Sequence, residues 1–227
     1  STPAAENVEI SLWTYPIGNW VDEATVAGLI ADFNAVYPNI TVKLNTEVKD
    51  ISQVDCSAII VATGSKPNRI PVPGIDKGIQ AIDFLLNKPE VGENVTIIGG
   101  GLTGCEIAYE LYLQGKKPTI VEMLDDIIAA PGVCLANSSF LRDFFEANKV
   151  AVHLETKLKE ICDDGVTVTD KNGVEFKIAA DNVILSTGYR SAPIGRKDKH
   201  VHIIGDAFKV GNLRTVIWQA WDVCMKL

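Results

Sequence analysis

The chain has 227 residues, 47% of them apolar and 22% charged, enough for one large core or two small ones. Its 21 lysines and arginines against 29 aspartates and glutamates leave a net charge of −8, which argues against a nucleic-acid or anionic-membrane surface. No apolar run approaches the ~20 residues of a membrane span. The five cysteines (Cys56, Cys105, Cys134, Cys162, Cys224) include no C-x-x-C pair, which disfavours an iron–sulfur cluster, a structural zinc or a redox dithiol.

Residues 1–7 are small and polar and read as a tail. A strand over 8–13, a helix over 22–36 broken at Pro38-Asn39, and a strand over 40–44 make a βαβ unit, so a parallel sheet is expected from the start. The first turn of that unit, Thr14-Tyr15-Pro16-Ile17-Gly18-Asn19-Trp20, offers only Gly18 for backbone freedom, and Pro16 lacks an N–H. No phosphate cradle is legible there. Trp13, Tyr15 and Trp20 read as sheet-edge or core residues in preference to a sugar-stacking platform. A buried strand over 55–64 closes on Thr63-Gly64, a proline-rich connector follows over 65–74, and a short helix is expected over 79–86.

The central stretch runs Val95-Thr96-Ile97-Ile98-Gly99-Gly100-Gly101-Leu102-Thr103-Gly104. Gly99, Gly101 and Gly104 have the G-x-G-x-x-G spacing: the first for a tight turn, the second for close approach of a pyrophosphate, the third for helix–strand packing. The strand before it, the helix over 102–114 after it and the stop at Gly115 are the contexts that confirm such a motif. The helix N-terminus around Leu102 and Thr103 then faces the phosphates. A strand over 118–121 ends in Glu122, 23 residues after Gly99, where a carboxylate is expected to take both ribose hydroxyls. Asp125 and Asp126 follow, and no Arg or Lys occurs from 118 to 141, so NADH is expected over NADPH.

Beyond this, a helix is expected over 137–147 and strands near 150–154, 157–162, 165–169, 174–179 and 182–186, with hairpin turns at Asp164-Gly165 and Lys171-Asn172-Gly173. The last strand ends in Ser186-Thr187-Gly188, echoing Ala62-Thr63-Gly64. A basic loop over 190–200, a strand over 200–204 ending in Gly205-Asp206 and a helix over 212–225 close the chain. Cys105 reads as a packing residue, and His153, His200 and His202 as strand or loop residues.

From about 41 to 227 the chain resembles the C-terminal region of the NADH:flavin oxidoreductase/2,4-dienoyl-CoA reductase family, a branch of the pyridine nucleotide-disulfide oxidoreductases. The resemblance is carried by LNTEV (44–48), IIVATGSKPNRIPVPG (59–74), VTIIGGGLTGCEIAYEL (95–111), VILSTGYR (183–190) and VHIIGDAFKVGNL (201–213). It implies two Rossmann-like three-layer α/β domains with parallel sheets, one inserted in the other: an FAD-type domain of residues 1–91 and 192–227, and an NAD(H)-binding domain of residues 92–191. The Gly99–Gly104 turn and Gly188 then serve NAD(H), while Thr63, Gly64, Gly205 and Asp206 line the flavin side. Asp206 is expected to accept from the ribityl chain, and the helix after Gly211 to point its N-terminus at the flavin.

Residues 7–43 depart from that family. They resemble the mature N-terminus of an ABC-transporter sugar-binding protein, so the chain reads as a chimera in which one βαβ unit replaces the FAD-binding one and its glycine fingerprint. FAD binding is therefore expected to be weak or absent.

The leading functional expectation is an NADH-dependent flavoprotein oxidoreductase module that passes a hydride from NADH to a flavin, with a flavin or redox domain as partner. The alternative is a nucleotide-binding or scaffold domain that has lost FAD and turnover. No metal, nucleic acid or membrane is expected. The location expected is cytoplasmic, although the N-terminal segment alone points to export.

Overall fold

The computed structural model describes residues 7–12, 22–44, 50–54, 58–130 and 132–227. The tail, the turn at 14–20 with its aromatics, most of the 44–48 motif, and Cys56 lie outside the described residues. In chain order the elements are β1 (Val8–Leu12), α1 (Glu23–Val36), β2 (Ile40–Leu44), β3 (Ile59–Val61), β4 (Ser65–Pro67), β5 (Ile79–Gln80), α2 (Ala81–Asn87), β6 (Asn94–Ile98), α3 (Leu102–Leu113), β7 (Lys117–Val121), α4 (Leu135–Ala147), β8 (Ala151–His153), β9 (Lys157–Cys162), β10 (Gly165–Thr169), β11 (Glu175–Ala179), β12 (Asn182–Leu185), β13 (Tyr189–Ser191), β14 (Val201–Ile203) and α5 (Leu213–Cys224). The chain divides into two compact units, Ser1–Lys66 with Arg190–Leu227, and Pro67–Tyr189.

In the first unit, β1 and β2 pair in parallel with Val8 opposite Ile40, joined through α1. Asp22 caps α1 by accepting the Thr25 N–H at 2.9 Å. A second parallel pair, β14 with β3, sets Val201 opposite Ile59. The 3-10 turn Gly205–Ala207 follows it and leads to α5. A capping box between Asn212 and Thr215 opens α5, which buries none of its residues and leaves Leu213, Ile217, Trp218 and Trp221 exposed.

The second unit is built on a five-stranded parallel sheet of order β5-β12-β6-β7-β8. On one face α2, α3 and α4 pack through Phe84, Ile107, Leu111, Leu141 and Phe145 against Val95, Ile97, Ile120 and Ile184. On the other face Val166 and Val168 of the antiparallel sheet β11-β10-β9 pack with Ile98, Val121, Val183 and Leu185. Both faces of the parallel sheet are covered, which is why residues 95–98 of β6 and 183–185 of β12 are buried without in–out alternation. The third layer is therefore a β-meander, turned at Gly165 (φ +140°) and at Gly173 (φ +80°), where the Asp170 carboxylate accepts from Asn172 and Val174 N–H.

The sequence reading draws its boundary at 91/92, whereas the units meet at 66/67. The reason is a two-residue strand: Ile79 and Gln80 pair with Ile184 and Leu185, so the segment before β6 belongs to the sheet. Such a strand is too short to carry a periodic signal, and the helix expected over 79–86 begins only at Ala81.

Chain order within the sheet fixes where a site can form. From β6 the chain moves outward through α3 to β7 and through α4 to β8, then returns on the other side of β6 as β12. The crevice beyond the carboxyl ends of β6 and β12 is the topological switch point of the sheet. Helix α3 starts right at that end because two glycines allow it. A Cβ on Gly99 (φ +106°) would lie 2.2 Å from the Ser186 carbonyl oxygen, and one on Gly104 would lie 2.0 Å from the Gly99 oxygen. Gly104→Ala should therefore push α3 off β6 and cost about 1–3 kcal/mol, read as a lower urea midpoint with unchanged m. Unchanged stability would show that the helix–strand contact is not tight.

Candidate functional site

The site grows from the β6–α3 turn. Gly101 is the N-cap of α3 in extended conformation, no side chain caps the helix, and no acidic residue stands in its first turn. The first-turn N–H groups have no intrahelical acceptor, so the helix end presents donors and a positive dipole end to whatever lies beyond it. A Cβ added at Gly101 would meet nothing within 4 Å. Gly101 also lines a cavity of about 190 Å3, together with Leu102, Thr103, Ser186, Thr187 and Gly188. Gln80, Ala81 and Tyr189 also line it. Burial pushes the Tyr189 phenol above its usual range, with the charge of Asp83 adding to the effect.

The wall at 186–188 is held by a residue that sequence reasoning missed. Asn68 donates from its side chain to the Thr187 carbonyl at 3.0 Å and from its backbone to the Gly188 carbonyl at 2.9 Å, while the Thr187 hydroxyl donates to the Asn68 carbonyl at 3.0 Å. Asn68 and Thr187 are 119 residues apart in the chain, and no local pattern announces their pairing.

Glu122 sits at the end of β7 as the spacing predicts, but its carboxylate is not an open acceptor. It is 8% exposed, and its two oxygens accept the Gly100 N–H at 2.6 Å and the Leu124 N–H at 2.8 Å. One acidic neighbour is also compensated. Arg142, one residue past the stretch without basic residues, binds Asp126 through Nε at 3.2 Å and Nη2 at 2.7 Å, and donates to the Ile127 carbonyl at 2.5 Å. That hydrogen-bonded guanidinium holds the Asp126 carboxyl below its ordinary range. The expectation of uncompensated charge at both Asp125 and Asp126 is thus corrected for Asp126.

On the first unit, Gly64 (φ +75°) and Gly205 (φ +61°) adopt left-handed backbone. The Thr63 hydroxyl donates to the Ala192 carbonyl at 3.1 Å. Asp206 is engaged internally, accepting from the Ser65 hydroxyl at 3.4 Å and from Gly211 N–H at 3.1 Å. Asn212 takes the Thr215 N–H at 3.1 Å, so the start of α5 is partly capped by its own side chain.

Among the described residues, no group of three or more His, Cys, Asp or Glu is placed to hold a metal ion, and no helix is long and apolar enough to cross a membrane.

The parallel sheet with a glycine turn at its switch point defines an α/β fold of the Rossmann-like type found in FAD- and NAD-binding oxidoreductase domains. Residues 23–212 match the family model of the pyridine nucleotide-disulphide oxidoreductases, and the chain belongs to that family. It is 37% identical over 196 residues to a cinnamate reductase of Clostridium sporogenes, covering 83% of this chain and 29% of that protein. To an NADH oxidase of Thermoanaerobacter brockii it is 30% identical over 198 residues, covering 81% of this chain and 30% of the other. A solved 2-naphthoyl-CoA reductase, in complex with 2-naphthoyl-CoA, superposes with a TM-score of 0.73 at 27% identity, over 97% of this chain and 36% of that one. The chain thus spans less than a third of the length of these curated relatives. Its matched relatives are oxidoreductases.

Cys105 is fully buried beneath the turn, with its Sγ 3.3 Å from the Gly100 carbonyl, and burial pushes its thiol up to about 12. The proton stays on the sulfur at any ordinary pH, so Cys105 packs and donates. At about pH 8 a thiol reagent should label the exposed Cys134 and Cys224 and spare Cys105 until the chain unfolds. Labelling of Cys105 in the folded protein would contradict the burial of the turn.

Proposed function

We propose that the chain is an NADH-dependent flavoprotein oxidoreductase module in which the unit Pro67–Tyr189 binds NAD(H) and the other unit is of FAD type. The observation that carries this reading is the uncapped N-terminus of α3 at Gly101, with an empty Cβ position and set at the switch point of the sheet. The residues fit a dinucleotide. Gly101, Leu102 and Thr103 offer N–H groups to the pyrophosphate, and Gly99 and Gly104 shape the turn. The cavity toward Thr187 and Gly188 is below the roughly 300–1,000 Å3 of a full small-molecule pocket and suits one end of the cofactor. Glu122, whose two oxygens already accept the Gly100 and Leu124 N–H, would meet the ribose hydroxyls only through its remaining lone pairs. Bound NADH supplies a hydride for a flavin acceptor, and the chain's own part is to bind and orient it.

NADH is favoured over NADPH because a 2′-phosphate would approach the fixed charge of Glu122. Two unit charges ~4 Å apart at an effective dielectric near 20 repel by about 4 kcal/mol, and screening reduces this to roughly 1–3 kcal/mol, ten- to hundredfold in affinity. Calorimetric titration should show that preference. Gly101→Ala should lose at least about tenfold in NADH affinity with stability within about 0.5 kcal/mol, since its backbone suits alanine and its Cβ position is empty. Unaltered NADH binding in Gly101→Ala, or equal affinity for NADPH, would contradict the reading.

A second reading, a nucleotide-binding or scaffold domain without turnover, is favoured by the flavin side. Segment 14–20 holds a single glycine, Gly18, and a proline without an N–H, Pro16, consistent with a substituted βαβ unit over 7–43. Asp206, the Thr63 hydroxyl and the start of α5 already have internal partners, while Gly64 and Gly205 keep left-handed backbone. Each missing N–H to a charged pyrophosphate costs ~1.5–3 kcal/mol, so losing two or three weakens FAD by roughly two to six powers of ten. Purified protein should carry little flavin absorbance. Stoichiometric FAD would exclude this second reading.

A further inference from the structure

Gly100, between the first two glycines of the motif, is bound through both its N–H and its carbonyl. Its N–H donates to Glu122 Oε2 at 2.6 Å, and its carbonyl accepts the Ile128 N–H at 2.7 Å and the Cys105 thiol at 3.3 Å. The other Glu122 oxygen takes the Leu124 N–H. The backbone of Glu122 is fixed as well, donating to the His153 carbonyl at 2.8 Å and accepting from Thr156 N–H at 2.9 Å. Closing this ring puts Ile128 at φ +52°, an unusual conformation for a β-branched residue that persists only where its surroundings impose it.

We propose that Glu122 is a positioning residue for the phosphate-binding turn: its buried carboxylate locks Gly100 against the 122–128 segment, and so aims the Gly101–Thr103 N–H groups before any ligand arrives. The inference rests on the reading of that turn as a dinucleotide site and adds a role that ribose recognition does not require. A carboxylate that only read the ribose would be free to meet the hydroxyls. This one is held at both oxygens, and removing it leaves the buried Gly100 N–H without its acceptor. Turn order and ribose recognition then become separable, because only the second depends on the ligand's hydroxyls.

An NADH analogue lacking both adenosine ribose hydroxyls separates them. Glu122→Ser should bind this 2′,3′-dideoxy analogue at least about tenfold more weakly than the wild type does, whereas Glu122→Gln, which keeps one acceptor for Gly100, should recover most of the loss. If Glu122→Ser and the wild type bind the analogue equally, the carboxylate reads ribose only and the proposal fails. Hydrogen exchange without nucleotide gives an arm independent of cofactor binding. The Gly100 amide of the unmutated protein should exchange slowly, and should exchange at least about tenfold faster in Glu122→Ser. Rapid exchange in the wild type, or no change in a folded Glu122→Ser, overturns the proposal. A wild type that binds no NADH while its Gly100 amide stays protected by Glu122 would instead sink the dinucleotide reading and leave the lock standing.

Discussion

The constraint on which the second unit depends is the contact between Gly104 and the Gly99 carbonyl. An α-helix can begin directly at the end of a buried strand only if its first turn lies against the strand's last peptide, and here the space left is smaller than a methyl group. Given that contact, α3 runs back over the sheet and buries Ile107, Ala108 and Leu111, β7 lies beside β6, and the N-terminus of α3 sits at the edge where the strand order reverses. The packing requirement and the ligand requirement meet in one turn but fall on different glycines. Gly99 and Gly104 are demanded by the protein's own atoms, while Gly101 is demanded by nothing inside the protein. The proposed pyrophosphate site rests on that empty Cβ position together with the uncapped helix donors beside it.

Electrostatics around the turn follows the same division. Two of the negative charges around the turn are fixed by partners: Glu122 by two backbone N–H groups and Asp126 by the fork of Arg142. A carboxylate held in this way does not swing aside for a second anion, and it presents its remaining lone pairs without reorganising. In the proposed dinucleotide reading, discrimination between ribose hydroxyls and a ribose phosphate would rest on rigidity as much as on charge. Cys105 completes the support from below as a neutral donor, which a thiol kept protonated by burial can be.

The legible part of this structure was local. The β6–α3–β7 unit is written in consecutive residues, with a β-branched run, a glycine spacing, a helical period and an acid at the right distance, and the structure has each element within a residue or so of its expected limits. The hairpins of the antiparallel layer were legible for the same reason, since Asp164-Gly165 and Asn172-Gly173 announce themselves. What stayed hidden was relational. The Asn68 clamp on Thr187, the pairing of Ile79–Gln80 with β12 and the Arg142 fork on Asp126 each join residues whose individual identity is unremarkable. The engagement of Glu122 escaped for a subtler reason: a strand-end acid at the correct spacing suggests an outward role, and nothing in sequence tells whether its oxygens are already taken. The family match begins at residue 23 and so includes residues 23–43, which the sequence reading assigns to a substituted unit.

The central claim is that the N–H groups at the start of α3 receive the pyrophosphate of a nicotinamide dinucleotide. The most direct measurement is a titration with ADP-ribose, which carries the pyrophosphate and adenosine ribose without the nicotinamide, followed through the backbone amide resonances. The account predicts that the largest shifts fall on Gly101, Leu102 and Thr103, with smaller ones at Glu122. Shifts that leave these three amides unmoved and gather instead around Asn212–Thr215 would contradict it.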